Sequence, residues 1–258
     1  MIAFSLAVAV LLSLAAGCSV AMKQRLSGTP IEPSVAIADL QSLEKDIQTN
    51  KQIFRVRLLD KGRTFSGDGA LFFRAPDTLQ MSIYGPPFTT LWMQMLQRGD
   101  SITVVLPKEN RVVRARRGNT ENLTRLSSSE GLTDGEFLGG VTGIFNLSRF
   151  RHPGMREEAA EDGSLRSLRL IGNGSVYEFT FDRGLRAVVR FAHYEDGKLR
   201  REISRSEFKP RPDGLQRATR TVYRDFVEDR EITVLVSKEE INQALTGKAF
   251  DITLPEGQ

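Results

Sequence analysis

The sequence predicts a mainly β fold: a large curved antiparallel sheet that forms an incomplete barrel, with helices covering an apolar cavity on its concave side. Two observations lead to this prediction. Most of the chain alternates apolar and polar residues at a spacing of two, in runs separated by short turn signals. The order of segments is one helix, a block of strands, two helices and a second block of strands, which a parallel α/β fold does not give.

The first eighteen residues resemble the export signal of a bacterial lipoprotein. An apolar run from Ala3 to Ala16 ends in small residues, as before a signal-peptide cleavage site, and its end resembles a lipobox that closes on Cys18, the only cysteine. The run is shorter than the roughly 20 residues of a membrane-spanning helix. We therefore predict that residues 1–17 are a lipoprotein signal peptide and that Cys18 carries lipid. The alternative is a signal followed by an unmodified thiol.

The resemblance to that signal also implies a location. Acyl chains on Cys18 would hold the protein to a membrane, because each buried methylene contributes about 0.8 kcal/mol. Ser19 stands where an aspartate would favour retention in the inner membrane, so we expect an outer-membrane lipid anchor facing the periplasm of a bacterial cell envelope. In residues 18–34, a predicted tether, Gly28, Pro30 and Pro33 disfavour regular structure. Residues 35–258 are then one domain.

The first half of that domain reads as one helix followed by a meander. Apolar residues recur at helical spacing from Pro33 to about Asn50, which predicts a helix. Turn signals at 75–77, 85–87, 98–100 and 108–110 then separate short alternating runs. We predict strands at 54–59, 65–73, 78–84, 89–97, 101–106 and 111–116.

The second half begins with two helical segments, at 119–126 and 134–145. The acidic stretch 155–163, which carries Glu157, Glu158, Glu161 and Asp162, is predicted to be a mobile, solvated loop. Asn173-Gly174 and Asp196-Gly197 are typical hairpin turns. Strands are predicted at 165–171, 175–181, 185–194, 199–208, 215–226 and 231–236.

The sequence contains no pattern typical of a catalytic, metal or cofactor site. His152 and His193 lie in unrelated segments without ligand spacing, and no serine lies in a Gly-x-Ser-x-Gly elbow. The segments 67–69 and 172–174 are glycine-rich but precede no helix, so we interpret them as turns rather than nucleotide loops. We expect no enzyme activity, no metal and no cofactor.

Arginine is abundant on the later strands, although the net charge is only +4. We interpret these side chains as a solvated sheet face; a cationic face beside an anionic membrane is the functional alternative. Nucleic acid is not an expected partner, because the basic residues show no pattern of stacking aromatics. The residues are Arg183, Arg186, Arg190, Arg200, Arg201, Arg205, Arg217, Arg220 and Arg224.

Two segments are candidates for movement or insertion. Gly139, Gly140 and Gly143 predict a closely packed lid helix that is easily displaced, since each glycine lowers helix stability by up to about 1 kcal/mol relative to alanine. The loop Pro86-Pro87-Phe88 is apolar where a turn should be polar. It is either a membrane-inserting loop, with prolines that reduce the entropy cost of insertion, or a cap in which Phe88 folds back over the barrel end.

Three segments together resemble the LolA/LolB superfamily of outer-membrane lipoprotein-sorting proteins, and most closely LolB-like and DUF4292-type lipoproteins. They are 69–77, a strand ending in a proline turn; 79–88, a strand leading into an apolar loop; and 249–255, a proline-ended C-terminus with a phenylalanine. The resemblance implies a half-barrel closed by a helical lid around an apolar cavity. It also implies a monomer that binds lipoprotein or lipid cargo by its acyl chains, receives it from a periplasmic carrier protein and helps to insert it into the membrane.

Strand alternation selects the candidate lining of that cavity. In the soluble carrier of the family an arginine just before the strand-ending proline latches the lid. The matching residue here is Ala75, and Arg74 should point to the opposite face, so we expect no latch. The candidate cavity residues are Phe54, Val56, Leu58, Leu71, Phe73, Leu79, Met81, Ile83, Trp92, Leu185, Val189, Phe191, Val234 and Val236.

One alternative function keeps the same fold. A half-barrel with a packed interior would serve as a non-catalytic scaffold or assembly component of an envelope complex. An occupied, ligand-binding interior would instead indicate the carrier function.

Overall fold

The computed structural model describes residues 26–85, 90–116, 135–211 and 214–253. These residues form one antiparallel sheet of fourteen strands that is not closed into a barrel, together with two α-helices. Neither helix is long and apolar enough to cross a lipid bilayer. The incomplete antiparallel barrel predicted from the alternation is confirmed.

The helices are α1 (Pro33–Asp46) and α2 (Gly135–Thr142). The strands are β1 (Thr29–Ile31), β2 (Thr49–Asp60), β3 (Arg63–Arg74), β4 (Thr78–Gly85), β5 (Thr90–Arg98), β6 (Ser101–Leu106), β7 (Arg111–Arg116), β8 (Arg156–Asp162), β9 (Leu165–Gly172), β10 (Ser175–Asp182), β11 (Ala187–Glu195), β12 (Lys198–Pro210), β13 (Gln216–Asp225) and β14 (Arg230–Ile241). Their order in the sheet is β1-β8-β9-β10-β11-β12-β13-β14-β2-β3-β4-β5-β6-β7. The sheet thus consists of a first meander, β2–β7, and a second meander, β8–β14, which are joined where β14 pairs with β2.

Helix α1 packs its apolar face on the inner side of the sheet. Pro33 occupies the first turn, where its missing N–H costs nothing, and Ala36, Ile37, Leu40 and Leu43 are buried against β8–β10. The helix ends at Asp46 rather than near Asn50, as the spacing predicts. The last apolar residue of that pattern, Ile47, is extended and fully buried, so it belongs to the core but not to the helix.

Two segments predicted to lack regular structure pair with each other. Part of the tether forms the edge strand β1, where a proline is tolerated, and the acidic stretch forms β8, with Thr29 opposite Glu161. The carboxylates are held by arginines: Glu161 accepts from Arg166 at 2.6 Å and from Arg183 at 3.1 Å. Arg166 also bonds Asp39 of α1 at 2.7 Å. The prediction of a mobile loop is wrong because these charges are paired across strands.

The segment 67–69, predicted to be a turn, lies inside β3. Its glycines allow close packing rather than chain reversal, because a Cβ on Gly69 would lie 2.4 Å from the Phe54 ring. The other glycine-rich segment does reverse the chain: Asn173 and Gly174, both with positive φ, connect β9 to β10.

On the face opposite the core, arginines and glutamates alternate across six strands. In each neighbouring arginine–glutamate pair the nearest nitrogen and oxygen lie 2.6 to 3.7 Å apart. The later strands therefore carry a continuous ladder of ion pairs rather than a free cationic face. Arg205 and Arg217 differ, because both are buried on the inner side, contrary to the prediction of a solvated face. The ladder runs through Arg169, Glu178, Arg190, Glu202, Arg224 and Glu231.

The C-terminal segment crosses the outer face of the first meander. Phe250 is 2% exposed and lies under the Arg74 guanidinium, 4.7 Å from its ring centre. Gln94 accepts from the Thr253 amide at 2.8 Å. The expectation that Arg74 points away from the interior is therefore confirmed.

We expect Gly69→Ala to destabilise the fold by about 1–3 kcal/mol, because the new methyl group overlaps the buried Phe54 ring. Denaturant unfolding of the variant and of the wild type measures the difference.

Gly247→Ala is the matched control. A Cβ on Gly247 meets nothing within 4 Å, so its free energy of unfolding should stay within about 0.5 kcal/mol of the wild type. Equal stability of both variants would contradict the close approach at Gly69.

Candidate functional site

An apolar pocket of about 290 Å³ opens at one end of the first meander. It lies between the inner faces of β2–β5, beside the short segment 107–109 that follows β6. Polar groups are confined to a few positions of the lining, among them Lys108 and Glu109. The lining residues are Val56, Leu58, Phe65, Ser66, Gly67, Ile83, Trp92, Met93, Leu106, Lys108 and Glu109.

Trp92 reaches the pocket through an irregularity in the sheet. Tyr84 pairs with Leu91 but Ile83 pairs with Met93, so Trp92 is an extra residue in β5. Gly85 makes room for the indole: a Cβ there would lie 1.8 Å from Trp92 Cε2. No signal in the sequence indicates this bulge, although alternation did select Trp92.

The fourteen predicted cavity residues have three different environments. Val56, Leu58, Ile83 and Trp92 line the pocket. Leu185 and Val189 are half-buried and lie outside the core cluster. The others belong to the packed core or, for the last of them, pack against it: Phe54, Leu71, Phe73, Leu79, Met81, Phe191, Val234 and Val236.

A second bulge explains the position of Val189. Thr180 pairs with Arg190 and Phe181 with Val188, which leaves Val189 between them as the extra residue. Val188, 1% exposed, takes the inward position instead. Strict alternation cannot place β11 correctly across this point.

Aromatic rings fill the interior under the second meander. Phe145 stacks on Phe191 with ring centres 5.3 Å apart, and Phe150 contacts Tyr177 at 5.3 Å and Phe179 at 5.3 Å. Ring pairs at such distances contribute beyond the area they bury. The interior is therefore packed under β9–β11 and carries the apolar pocket under β2–β5.

Helix α2 lies on the inner face of β12 and β13 as a lid. The helix residues Phe137, Leu138 and Val141 are buried between it and the sheet. A Cβ on Gly140 would lie 2.7 Å from Ile203 Cγ2, so glycine is required for this approach. The predicted close packing of the glycine-rich helix is confirmed, although the helix ends at Thr142, before Phe145.

Side chains of the sheet hold the C-terminus of this lid. The Arg217 guanidinium donates to the carbonyl oxygen of Thr142, and Gln52 Nε2 donates to that of Val141 at 3.2 Å. Cations and donors stabilise a helix C-terminus, where the last carbonyls lack partners. Ala75 carries no latch, as expected; the lid is held from β13 and β2 instead.

Glu239 organises these donors. Its Oε1 accepts from Arg217 Nη2 at 3.0 Å, from Gln52 at 2.9 Å and from Asn50 at 2.9 Å, and its side chain is 1% exposed. Burial alone raises the pKa of Glu239, but the charge and hydrogen bonds of Arg217, with those of the two amides, outweigh it and lower the pKa to about 2.

A second group of ionisable side chains lies at the N-terminal turn of the lid, which carries Glu136. His193 is 6% exposed, and its Nδ1 lies 3.1 Å from Glu136 Oε1, while Arg201 Nη1 lies 3.6 Å from Glu136 Oε2. The sequence places His193 on a strand but does not indicate that this strand faces the lid.

Several predicted site residues lie outside the described residues: the lipid-attachment residue Cys18, the loop Pro86-Pro87-Phe88 and the helix at 119–126. In the part of the chain that the structure describes, no group of three or more histidine, cysteine or acidic side chains is arranged to hold a metal ion.

We expect Glu239→Gln to lower the free energy of unfolding at pH 7 by about 3–5 kcal/mol, because it leaves buried Arg217 without its carboxylate. The pKa of Glu239 is depressed, so its stabilisation is complete above about pH 4.5 and is lost as the pH falls towards 2. The difference between wild type and variant should therefore narrow by roughly 3 kcal/mol over that interval. Denaturant unfolding at several pH values measures both.

The neighbouring carboxylate provides the control. Glu240 bonds Lys51 and Lys238 at the surface, so Glu240→Gln should cost less than about 1 kcal/mol at pH 7. If both substitutions have the same small effect, the buried network does not hold the lid.

No protein-family model matches the sequence, and no curated protein is significantly similar to it. Solved structures are similar in fold. An outer-membrane lipoprotein-sorting protein domain from Vibrio parahaemolyticus has a TM-score of 0.58 at 12% identity, over 85% of this chain and 97% of that one. A DUF1329 family protein from Desulfovibrio piger also has 0.58 at 12% identity, over 86% and 98%.

A LolA superfamily protein from Nitrosomonas europaea has a TM-score of 0.54 at 11% identity and covers 84% of this chain and 97% of its own length. At such identities the likeness concerns the fold. The resemblance found in the three sequence segments is thus confirmed at the level of architecture: the chain has a LolA/LolB-like fold.

Proposed function

We propose that this protein is an envelope lipoprotein that binds an acyl chain of lipid or lipoprotein cargo in its apolar pocket and helps to insert the cargo into the outer membrane. The single observation that carries the proposal is the open pocket lined by Val56, Leu58, Ile83 and Trp92. The fold shared with a lipoprotein-sorting domain and a LolA superfamily protein supports it. Delivery by a periplasmic carrier belongs to the same proposal.

The size of the pocket limits what it binds without rearrangement. Its volume of about 290 Å³ lies just below the range of typical ligand sites, about 300–1,000 Å³. It therefore accepts one end of a long chain, and further methylenes, each contributing about 0.8 kcal/mol, require the neighbouring core to move. Met81, Met93 and Met95 lie in that part of the core, and methionine adapts its shape readily.

The tether is long enough to bring the pocket to the anchoring membrane. From Cys18 to Thr29 the chain has 29 − 18 = 11 residues, which span up to about 40 Å when extended. Following the antiparallel strands from β1 to β2 places Thr29 at the end of the sheet opposite the pocket. The twelve residues of β2 cover a similar length, so a protein lying along the surface presents both ends to it.

The aromatic cluster favours a second candidate. Because Phe145, Phe150, Phe179 and Phe191 fill the interior under the second meander, that half is suited to a packed scaffold in an envelope complex. A scaffold needs no ligand, so direct detection of a bound chain distinguishes the two functions.

Trp92 provides that measurement, because it is the only tryptophan and lines the pocket. A fatty acid brominated along its chain should quench the fluorescence of Trp92 with saturation, whereas the unbrominated acid should not. Phe65→Glu, at the partly exposed pocket rim, should weaken binding about tenfold by removing apolar contact.

Phe226→Glu is the matched control. Phe226 is 51% exposed and does not line the pocket, so binding should be unchanged. Absence of saturable quenching in the wild type would reject the carrier and favour the scaffold.

The anchor has its own test. Cys18→Ser should prevent acylation and release the protein from the membrane fraction, because the only thiol in the chain is removed. Metabolic labelling with a palmitate analogue and fractionation after a salt wash measure both, and Ser19→Ala is the control. A Cys18→Ser protein that still sediments with membranes is not anchored in this way.

A further inference from the structure

Arg205 is a buried cation with no carboxylate partner. Its side chain lies on the inner face of β12 and is 5% exposed. Nη1 donates to the Val188 carbonyl at 3.0 Å, while the Nε atom has no hydrogen-bond partner. Among the residues that the structure describes, no acidic side chain lies within ion-pair distance of Arg205.

The neighbouring charges do not neutralise it. Arg217 and Arg211 both bond Glu239, so the cluster of three arginines and one glutamate carries 3 − 1 = +2. Burial, followed by the charge of Arg217, lowers the pKa of Arg205 to about 9, which leaves it protonated at neutral pH. Because the Arg211 side chain is 24% exposed, the buried part of the cluster, Arg205, Arg217 and Glu239, carries 2 − 1 = +1. A buried charge in excess is unfavourable unless negative charge or dipoles face it.

The lid supplies only partial negative charge. The last carbonyls of α2 face Arg217, and the C-terminus of a helix corresponds to about half a negative charge. Gly143, with φ +74°, follows the helix directly over Arg205: a Cβ there would lie 2.5 Å from Arg205 Nη2. Displacing α2 at this glycine would uncover the two guanidinium groups together.

We propose that Arg205 and Arg217 form a receptor for the anionic head group of an amphiphile, a phosphate monoester or carboxylate carried on an acyl chain, whose site the lid carbonyls cover in the closed protein. The inference rests on the proposed function, since the same molecule places its chain in the pocket. A guanidinium pair matches such anions in charge and in donor geometry.

The distance between the two sites fits one ligand. Arg205 of β12 pairs with Thr221 of β13, and Thr221 pairs with Val234 of β14. Val234 pairs in turn with Val56 of β2, which lines the pocket. Three strand spacings of about 4.8 Å each give about 14 Å along the sheet, comparable with an extended dodecyl chain. A ligand with its head at Arg205 therefore reaches the pocket with its tail.

The test compares three amphiphiles with the same dodecyl chain: dodecyl phosphate, dodecyl phosphocholine and dodecyl maltoside. The full chain is held in a non-ionic amphipol so that neither detergent nor an anionic polymer competes, and each amphiphile displaces the brominated fatty acid from Trp92. The wild type should bind dodecyl phosphate at least tenfold more tightly than dodecyl maltoside. Arg205→Met should abolish that preference without weakening the binding of the maltoside.

Arg220→Met is the control, because Arg220 lies on the adjacent strand with its side chain 45% exposed; it should keep the preference. Equal affinity of the wild type for all three amphiphiles, or a preference that persists in Arg205→Met, overturns the inference and leaves the proposed function standing. Absence of binding by any of them overturns both.

A measurement on the wild type alone covers the case in which Arg205→Met does not fold. Inorganic phosphate at millimolar concentration should weaken the binding of dodecyl phosphate and leave that of dodecyl maltoside unchanged. Inorganic phosphate that binds as tightly as dodecyl phosphate would identify a site for free anions and overturn the proposal of an amphiphile.

Discussion

The carboxylate of Glu239 joins three parts of the molecule that are distant in sequence. It lies on β14, accepts from the amides of Asn50 and Gln52 on β2 and binds Arg217 of β13, whose guanidinium reaches the last carbonyl of the lid. An open sheet has no closing strand pair to fix what covers its concave side. The lid is therefore held by side chains, and one buried charge determines where its C-terminus lies.

The two faces of the second meander show why its strands resist distortion. Outside, the ladder from Arg169 to Glu231 links six strands, and its most shielded pair, Arg169 and Glu178, is 10% exposed at each side chain. Networks of this kind resist distortion more than isolated surface pairs do. Inside, the rings of Phe145 and Phe191 fill the space. The first meander has no such ladder among its described ion pairs, and Met93 lines its pocket, with Met81 and Met95 in the core beside it.

The sequence was sufficient for the architecture because its main signal, alternation at a spacing of two, is a direct consequence of half-buried strands. That signal does not depend on which strands pair. It fails where a bulge shifts the phase, as at Val189, and where a charge lies on the inward face. Arg205 and Arg217 occur among other arginines in the same alternating strands, so no local pattern separates the buried pair from the solvated ones.

The buried network also depends on contacts that no local pattern contains. Gln52 and Glu239 are 187 residues apart, and their meeting follows from the pairing of β14 with β2. The prediction for the acidic stretch 155–163 failed because its charges are paired only once the strands form: Arg166 faces Glu161 across the β8–β9 hairpin, and Arg183 reaches it from just beyond β10. Local sequence therefore identifies strands well, while the charges that hold the lid become visible only with the sheet order.

The positions of the pocket and of the charge cluster make the lid and a ligand competitors. Gln52 and Leu58 lie on one face of one strand, so a molecule that extends from the pocket towards the other end of β2 meets Arg217 where α2 now caps it. Opening the lid gives up its hydrogen bonds with Arg217 and Gln52, and each such bond contributes only about 0.5–3 kcal/mol net. A few buried methylenes offset that loss. Release then requires only that a membrane bury the same methylenes, so that the lid carbonyls return to the guanidinium groups.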